Sequence, residues 1–410
     1  MKEIGGRFTP TRATLVAILL SSMLILMGGA AVAPALNDIK LAFPGQDFLT
    51  SLIITLPSLA VAVVGYAVGI AADRFGKVRV LLLALAVFTV AGVAGFFLPT
   101  LESILVARFV LGIGIAGITS TVTALIAEYY AGIDRVRVLS YQSAAMGIGV
   151  LILEFTGGTL AEISWRTPFL VYLIGIPILV LATLSMREPH RTREEQEELD
   201  EVAREVRERT RRSVDHRIVA LCYVSIFFCM NLVFLLPTSI PIVLADLGVS
   251  SSIVGLFLGF HGVANAVLSI MYGRLTARIP PFRILSTGFV LMGVGLAVLI
   301  LFPSVPLAIF TLVVTGVGVG MVVPSLVNTL AAQVSASNSG KIMGGYGTCL
   351  NFGQFAISLI SVPLLAFLSD SYYEMYCLMG VIAIAYGAII AIWSLGYYRR
   401  RAQARGQASA

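Results

Sequence analysis

The chain has 410 residues, 58% apolar and 12% charged, about half the charged share of a soluble domain. That composition excludes an ordinary soluble domain. The formal charge of +6 matches nucleic acid in sign, but its placement along the chain, given below, points to a membrane instead.

Twelve apolar stretches run in chain order at 13–36, 49–72, 79–98, 103–127, 139–161, 167–186, 218–242, 251–272, 282–302, 304–330, 342–366 and 373–396. Each approaches or exceeds the roughly 20 residues of a helix that crosses a bilayer. They are too long and unbroken for barrel strands, which alternate in polarity. The predicted fold class is an all-α membrane protein. Lys2, Arg7 and Arg12 precede the first stretch as in a signal peptide. Its apolar run is too long for one, and Pro34 follows Ala31-Val32-Ala33 where cleavage would fall, so a retained first helix is expected.

Six stretches precede the charged segment 187–217 and six follow it. The expected organisation is an N-terminal six-helix bundle over 1–186, a linker over 187–217, a C-terminal six-helix bundle over 218–398 and a basic tail over 399–410. In the linker, Leu199, Val202 and Val206 recur at helical spacing, and Glu205–Arg209 and Glu208–Arg212 are favourable i,i+4 pairs. Both an amphipathic helix on the membrane face and a solvated tether fit this pattern.

Of the 28 Lys and Arg, only Lys40 and Arg166 fall on the outer side when twelve helices are threaded from a cytoplasmic N-terminus. Arg108 falls inside a span. The asymmetry places both termini in the cytoplasm of a multi-pass protein of the cell membrane, a prokaryotic inner membrane. Cys222, Cys229, Cys349 and Cys377 lie within spans without metal-ligand spacing and read as core residues.

Prolines 34, 57, 168, 237, 241 and 324 lie within or at the ends of spans, where they kink helices. Glycines cluster in the fourth, fifth, tenth and eleventh spans, as in Gly112-x-Gly114-x-x-Gly117 and Gly316-x-Gly318-x-Gly320, and permit close approach of helices. Between the second and third spans lies Gly69-Ile70-Ala71-Ala72-Asp73-Arg74-Phe75-Gly76-Lys77-Val78-Arg79. A shift of 204 residues carries Gly69 onto Gly273, Arg74 onto Arg278, Arg79 onto Arg283, Gly112 onto Gly316 and Gly149 onto Gly353. One constant offset marks two copies of one unit, the signature of a secondary transporter.

These residues resemble the major facilitator superfamily. The stretch 69–79 matches its loop motif G-x-x-x-D-R-x-G-x-x-R. Arg108-Phe109-Val110-Leu111-Gly112 resembles its second motif, R-x-x-x-G. The fifth span is similar to G-x-x-x-G-P-x-x-G-G of the 12-helix drug–proton antiporter branch, but departs at its centre, where Leu153-Glu154 replaces Gly-Pro. The resemblance implies two pseudo-symmetric six-helix bundles with one midplane site exposed alternately to either side. It also implies that the loop motif latches the outward-open state.

Within the spans, Arg108 and Glu154 carry charge where charge is costly. Counted from Glu102 and Glu162, they lie roughly 9 and 12 Å deep at 1.5 Å per residue, in consecutive antiparallel helices. Glu154 is the candidate proton carrier, with Arg108 tuning it. A permanent ion pair and direct contact with a charged substrate remain the alternatives. His261 is the rival proton carrier. Asn231, His261, Asn265, Asn351 and Gln354 lie at mid-depth and are expected to face a substrate cavity or one another. Gln142 and Thr119-Ser120-Thr121 are weaker candidates, since hydroxyls bond back to their own helix. Met27, with Met23, offers either a soft lining or core packing.

The loop has a mechanical reading through Gly69, Asp73, Arg74, Gly76, Arg79, Glu128 and Arg137. Asp73 is expected to pair with Arg79 or Arg137, or to sit at a helix N-terminus. Gly69 lets another helix pack closely, and Glu128 joins the cluster. In the second copy Ala277 replaces Asp73 and Pro280 replaces Gly76, so an acidic latch is expected in the first half only.

No Walker loop, metal cluster or paired polar carboxylates mark an enzyme, and no cofactor or metal is expected. The expected function is secondary transport by alternating access, as proton-coupled export of small amphipathic or cationic compounds driven by the proton gradient. The alternative is proton-coupled uptake or exchange of a small organic anion or metabolite, with Arg108 as the anion site. The expected partners are a small-molecule substrate, protons and the lipid bilayer, without nucleic acid, and the protein is expected to be a monomer.

Overall fold

In the computed structural model of the chain, the described residues are 3–4, 7–8, 10–189, 214–301, 303–333 and 339–408. Among them are twelve helices long and apolar enough to cross a membrane. They are α1 (Arg12–Ala42), α2 (Asp47–Phe75), α3 (Lys77–Phe97), α4 (Leu101–Tyr129), α5 (Gly132–Ala161), α6 (Thr167–Ser185), α7 (His216–Asp246), α8 (Ser251–Thr276), α9 (Pro281–Ile300), α10 (Val305–Ala331), α11 (Gly340–Phe367) and α12 (Tyr372–Arg399). A two-residue antiparallel ladder pairs Glu3–Ile4 with Arg7–Phe8 before α1. The linker helix expected around 199–206 lies outside the described residues. The last helix runs on to Ala408, through the segment expected as a tail.

Local chemistry explains the helix ends. Thr11 and Thr14 form a reciprocal capping box at the start of α1. Thr100 accepts from the Ser103 amide at the start of α4, and Asp215 accepts from the Arg217 amide at the start of α7. Each occupies an amide that the helix start leaves without an internal partner. Gly76 joins α2 to α3 with φ at +103°, a conformation that favours glycine because a side chain crowds the backbone there. Short 3₁₀ turns interrupt α1 at Leu24–Leu26 and Ala33–Ala35, the second around Pro34. Pro57, Pro237, Pro241, Pro324 and Pro363 sit inside α2, α7, α10 and α11.

Each half has an apolar core, and that of the second half takes in Ala33, Leu36 and Ile54 of the first. In the first half, Phe88, Phe169, Tyr172, Leu111, Ile115 and Ile118 belong to one cluster. In the second, Phe289, Met292, Leu312, Leu326, Tyr376 and Ile390 belong to another. The spans are apolar on most sides because lipid covers what the core does not. Val63, Leu83, Val90 and Ile270 are all more than half exposed.

The halves meet along two antiparallel helix pairs, α5 with α8 and α2 with α11. Small residues allow the approach. A Cβ at Gly255 would overlap the Glu154 carbonyl, and one at Gly158 would overlap the Ser251 carbonyl. The two faces of the molecule differ. At the face away from the termini, Ser251 donates to Asp38 at 3.0 Å, Ser252 donates to Glu162 and Lys40 donates to Tyr372 at 3.2 Å. These bonds join the halves and close that face, leaving a cavity of about 30 Å³ between residues that include Thr50, Ser239 and Tyr372. At the termini face, Gly65, Gly69, Gly273, Gly344 and Gly347 have no atom of a neighbouring element within 4 Å of where a Cβ would stand. The helix ends are splayed there. The molecule is closed on the face away from its termini and open on the face that carries them.

Candidate functional site

Arg108 is 1% exposed, on the face of α4 that looks towards α1 and α6. It donates to the Tyr172 hydroxyl at 2.7 Å and to the Gly28 carbonyl at 3.2 Å. Its guanidinium lies 4.6 Å from the Phe169 ring centroid and 5.1 Å from that of Tyr172. Tyr172 in turn donates to the Met27 and Gly28 carbonyls. Two aromatic faces and two oxygens therefore hold the cation within the first half. No contact between Arg108 and Glu154 is found among the described residues, so the pair expected from their similar depth is not formed. Depth in consecutive helices fixes height but not which face of each helix a side chain occupies. One guanidinium nitrogen of Arg108 is buried without a partner.

Glu154 is 7% exposed, on α5. Its Oε2 is buried without a hydrogen-bond partner. Its backbone carbonyl abuts Gly255 of α8, in the other half. His261 lies further along α8 towards the termini, and its Nε2 is also buried without a partner. Opposing residues set the register of the two helices: Gly158 meets Ser251, Gly255 meets Glu154, Gly259 meets Leu151 and Gly262 meets Val150. By that register His261, six residues beyond Gly255 on α8, stands about 9 Å from the level of Glu154. Both titratable groups thus belong to helices of the α5–α8 pair, which joins the halves. The His261 carbonyl backs onto Gly316 of α10.

The amides divide in their surroundings. Gln354 is 9% exposed. It accepts from Ser58 of α2 at 2.6 Å and places its Nε2 3.6 Å from the Met230 Sδ. Thr55 and Ser358, 2.7 Å apart, repeat this crossing one turn away. Asn231 donates to the Phe227 carbonyl of its own helix, while its Oδ1 is buried without a partner. Asn351 donates to its own Gly347 carbonyl. Asn265 accepts from Ser269. Gln142 is 8% exposed on α5. Thr119 and Thr121 bond back to the carbonyls of Ile115 and Gly117. Met27 is fully buried in the core of the first half. Its backbone carbonyl accepts from the Tyr172 hydroxyl.

The loop motif differs from its expected pairing. Asp73 is largely exposed and lies 3.6 Å from Lys77. Arg137 pairs with Asp134 one turn back on α5, at 3.2 Å. Glu128 does join the cluster, through Lys77. Arg74 lies over the Phe75 ring. Gly69 receives no neighbouring helix, because the termini-side ends of α2 and α11 stand apart. The anion at the start of α3 is Glu188, whose carboxylate accepts from the Lys77 amide and, at 3.0 Å, from the Val78 amide. It takes the helix N-terminal position considered for Asp73. Glu188 is hidden in the sequence by the charge density of its segment.

The sequence matches the Major Facilitator Superfamily over residues 18–238 and 219–410. The class C tetracycline resistance protein of Escherichia coli is 26% identical over 368 residues, covering 86% of this chain and 89% of the relative. Multidrug resistance protein 1 of Bacillus subtilis is 35% identical over 126 residues, a match spanning 30% of this chain and only 32% of that protein. The fold is similar to that of a bacterial homologue of the human lysosomal transporter Spinster in an inward-facing, occupied conformation. The TM-score is 0.74 at 16% identity, covering 94% of this chain and 96% of the other.

Proposed function

The chain belongs to the Major Facilitator Superfamily, and from that membership we propose that it is a proton-coupled exporter of small amphipathic or cationic compounds, working by alternating access in the cell membrane with both termini in the cytoplasm. Glu154 carries the reading. Its Oε2 is buried without a partner, on the α5–α8 pair along which the halves must rearrange. A carboxyl so placed is neutral when dry and ionises when water reaches it, so opening and closing of the two faces would load and unload its proton. His261 on α8 is the second candidate carrier. No cofactor enters the scheme, and the proton gradient supplies the energy to a monomer.

Relatives named for tetracycline and multidrug resistance support export of compounds of this class. The Gly149, Gly157 and Gly158 positions retained from the antiporter motif agree. Asn231, Asn265, Asn351, Gln354 and Gln142 are the groups proposed to meet the substrate as the halves move. Uptake or exchange of an organic anion at Arg108 is disfavoured by the surroundings of that cation, which Tyr172, Gly28 and Phe169 already occupy.

Proteoliposomes with an imposed pH gradient test the assignment. Glu154→Gln is expected to retain counterflow of a labelled cationic dye and to lose uphill accumulation. Uphill transport at the wild-type rate in Glu154→Gln ends the coupling role. Counterflow of organic acids in preference to dyes, at two pH values, ends the substrate assignment.

A further inference from the structure

α2 and α3 touch each other little and pack instead on α4. Between them a cleft of about 490 Å³ is floored by Gly114 and Gly117 of α4 and walled by Val68, Ala71, Leu83 and Val87. Its volume lies within the range of small-molecule sites. The cleft opens sideways among Leu83 and Phe75, which are 66% and 60% exposed, onto the surface that hydrocarbon covers. Among the described residues its one charged lining residue is Arg79, at the end nearest the termini. Arg79 has no ion pair among the described residues, while its neighbour Lys77 is engaged by Glu128 and Asp73.

The repeat supplies an internal control. The shift of 204 residues sets Tyr272, Leu275 and Met321 at the positions of Val68, Ala71 and Gly117. In the second half these larger side chains fill the corresponding space. Tyr272, Ile284 and Met321 form a buried cluster on which Leu275, Leu291 and Val317 pack. The fold therefore does not impose the cleft. The first copy is hollow because its residues there are small, while the cation is kept in both copies as Arg79 and Arg283.

An apolar slot entered from the side of the membrane, with one unpaired guanidinium at the depth of the headgroups, fits a chain with an anionic head. We propose that the cleft binds one anionic phospholipid of the leaflet on the termini side, with an acyl chain over Gly114 and Gly117 and the phosphate on Arg79.

The full-length protein in detergent, given phosphatidylglycerol or phosphatidylcholine with a photoactivatable acyl chain, tests this by mapping cross-linked peptides. Phosphatidylglycerol is expected to label α2, α3 and α4 around the cleft about fivefold more than phosphatidylcholine, the effect of roughly 1 kcal/mol from one surface cation. The variant V68Y/A71L/G117M, which installs the residues of the second copy, is expected to lose this labelling. R79Q lies at an exposed position that leaves the packing alone. It is expected to keep acyl labelling and lose the headgroup preference, so the proposal stays testable if the triple variant does not fold. Undiminished labelling in the filled variant, labelling confined to other helices, or an unchanged preference in R79Q overturns the proposal. Displacement of the lipid label by a transported dye would assign the cleft to substrate and overturn it equally.

Discussion

Ser58 donates a hydrogen bond of 2.6 Å to the Oε1 of Gln354, joining α2 of one half to α11 of the other in a buried setting. Removing one partner of such a bond strands the other, at about 1–3 kcal/mol, whereas replacing both is nearly neutral. Ser58→Ala is therefore expected to lower the thermal midpoint of the purified protein. Ser58→Ala combined with Gln354→Leu should recover most of the loss. A double-mutant cycle with no coupling would show that the contact contributes nothing to holding the halves together.

Tyr172 is the main support of Arg108, through one hydrogen bond and one ring face. Hydrogen bonds to charged groups contribute about 1.5–3 kcal/mol. Tyr172→Phe keeps the ring and removes the bond, so a destabilisation of that order is expected. Arg108→Lys should cost at least as much, since an ammonium group cannot reproduce the stacking of the planar guanidinium on the Phe169 and Tyr172 rings. If Arg108 instead binds substrate, Arg108→Lys will abolish binding while leaving the melting temperature unchanged.

Closure of the face away from the termini should depend on pH through Glu162. The hydroxyls of Ser252 and Ser250 hold its exposed carboxyl below the usual carboxylate range. A depressed value means that the bonded, closed arrangement favours the ionised form. Its contribution is complete above about pH 4.3, the ordinary glutamate value, and is lost as pH falls through the lower value of the closed state. Spin labels on the outer ends of α5 and α8 should report separation only under acid conditions, and Ser252→Ala should remove the part due to Glu162. An opening centred near neutral pH would assign the pH sensitivity to another group.

The sequence made the twelve spans and the two halves legible because apolar length and the 204-residue echo are carried by many residues at once. It placed some ends less well. α5 begins at Gly132, not near 139, because the helix continues through Asp134, Arg135 and Arg137 beyond the apolar run. Arg108 and Glu154 stood out as charges, and both are buried. Their partners were not legible. Phe169 and Tyr172 are ordinary aromatics in an apolar span until α6 turns them onto Arg108. The asymmetry between a closed far face and an open termini face was not legible either, since both states are built from the same residues.

Two glycines give opposite expectations for that asymmetry. At Gly158 a methyl group would strike the backbone of Ser251 and Ser252, which has no flexible end to yield. Gly158→Ala should therefore weaken the outer closure by about 1–3 kcal/mol and move the population towards the outward-open state. At Gly69 a methyl group meets open space, so Gly69→Ala should leave the present state unharmed. If the helix of the other half docks there when the termini face closes, the same methyl penalises the outward-open state alone. Asp73→Asn should act in the same direction as Gly69→Ala. Among the described residues its partner is Lys77, at 3.6 Å, so little is lost in this state, while a latch in the other state would lose its acid. A coupling of roughly 1 kcal/mol corresponds to about a fivefold shift in population, with lower turnover and retained substrate binding. Distances between spin labels on the termini-side ends of α2 and α11 read all three variants. Gly158→Ala should shorten them on average, and Gly69→Ala and Asp73→Asn should lengthen them. Shifts of one sign in all three variants, or wild-type turnover in Asp73→Asn, would remove the loop 69–79 from the conformational cycle.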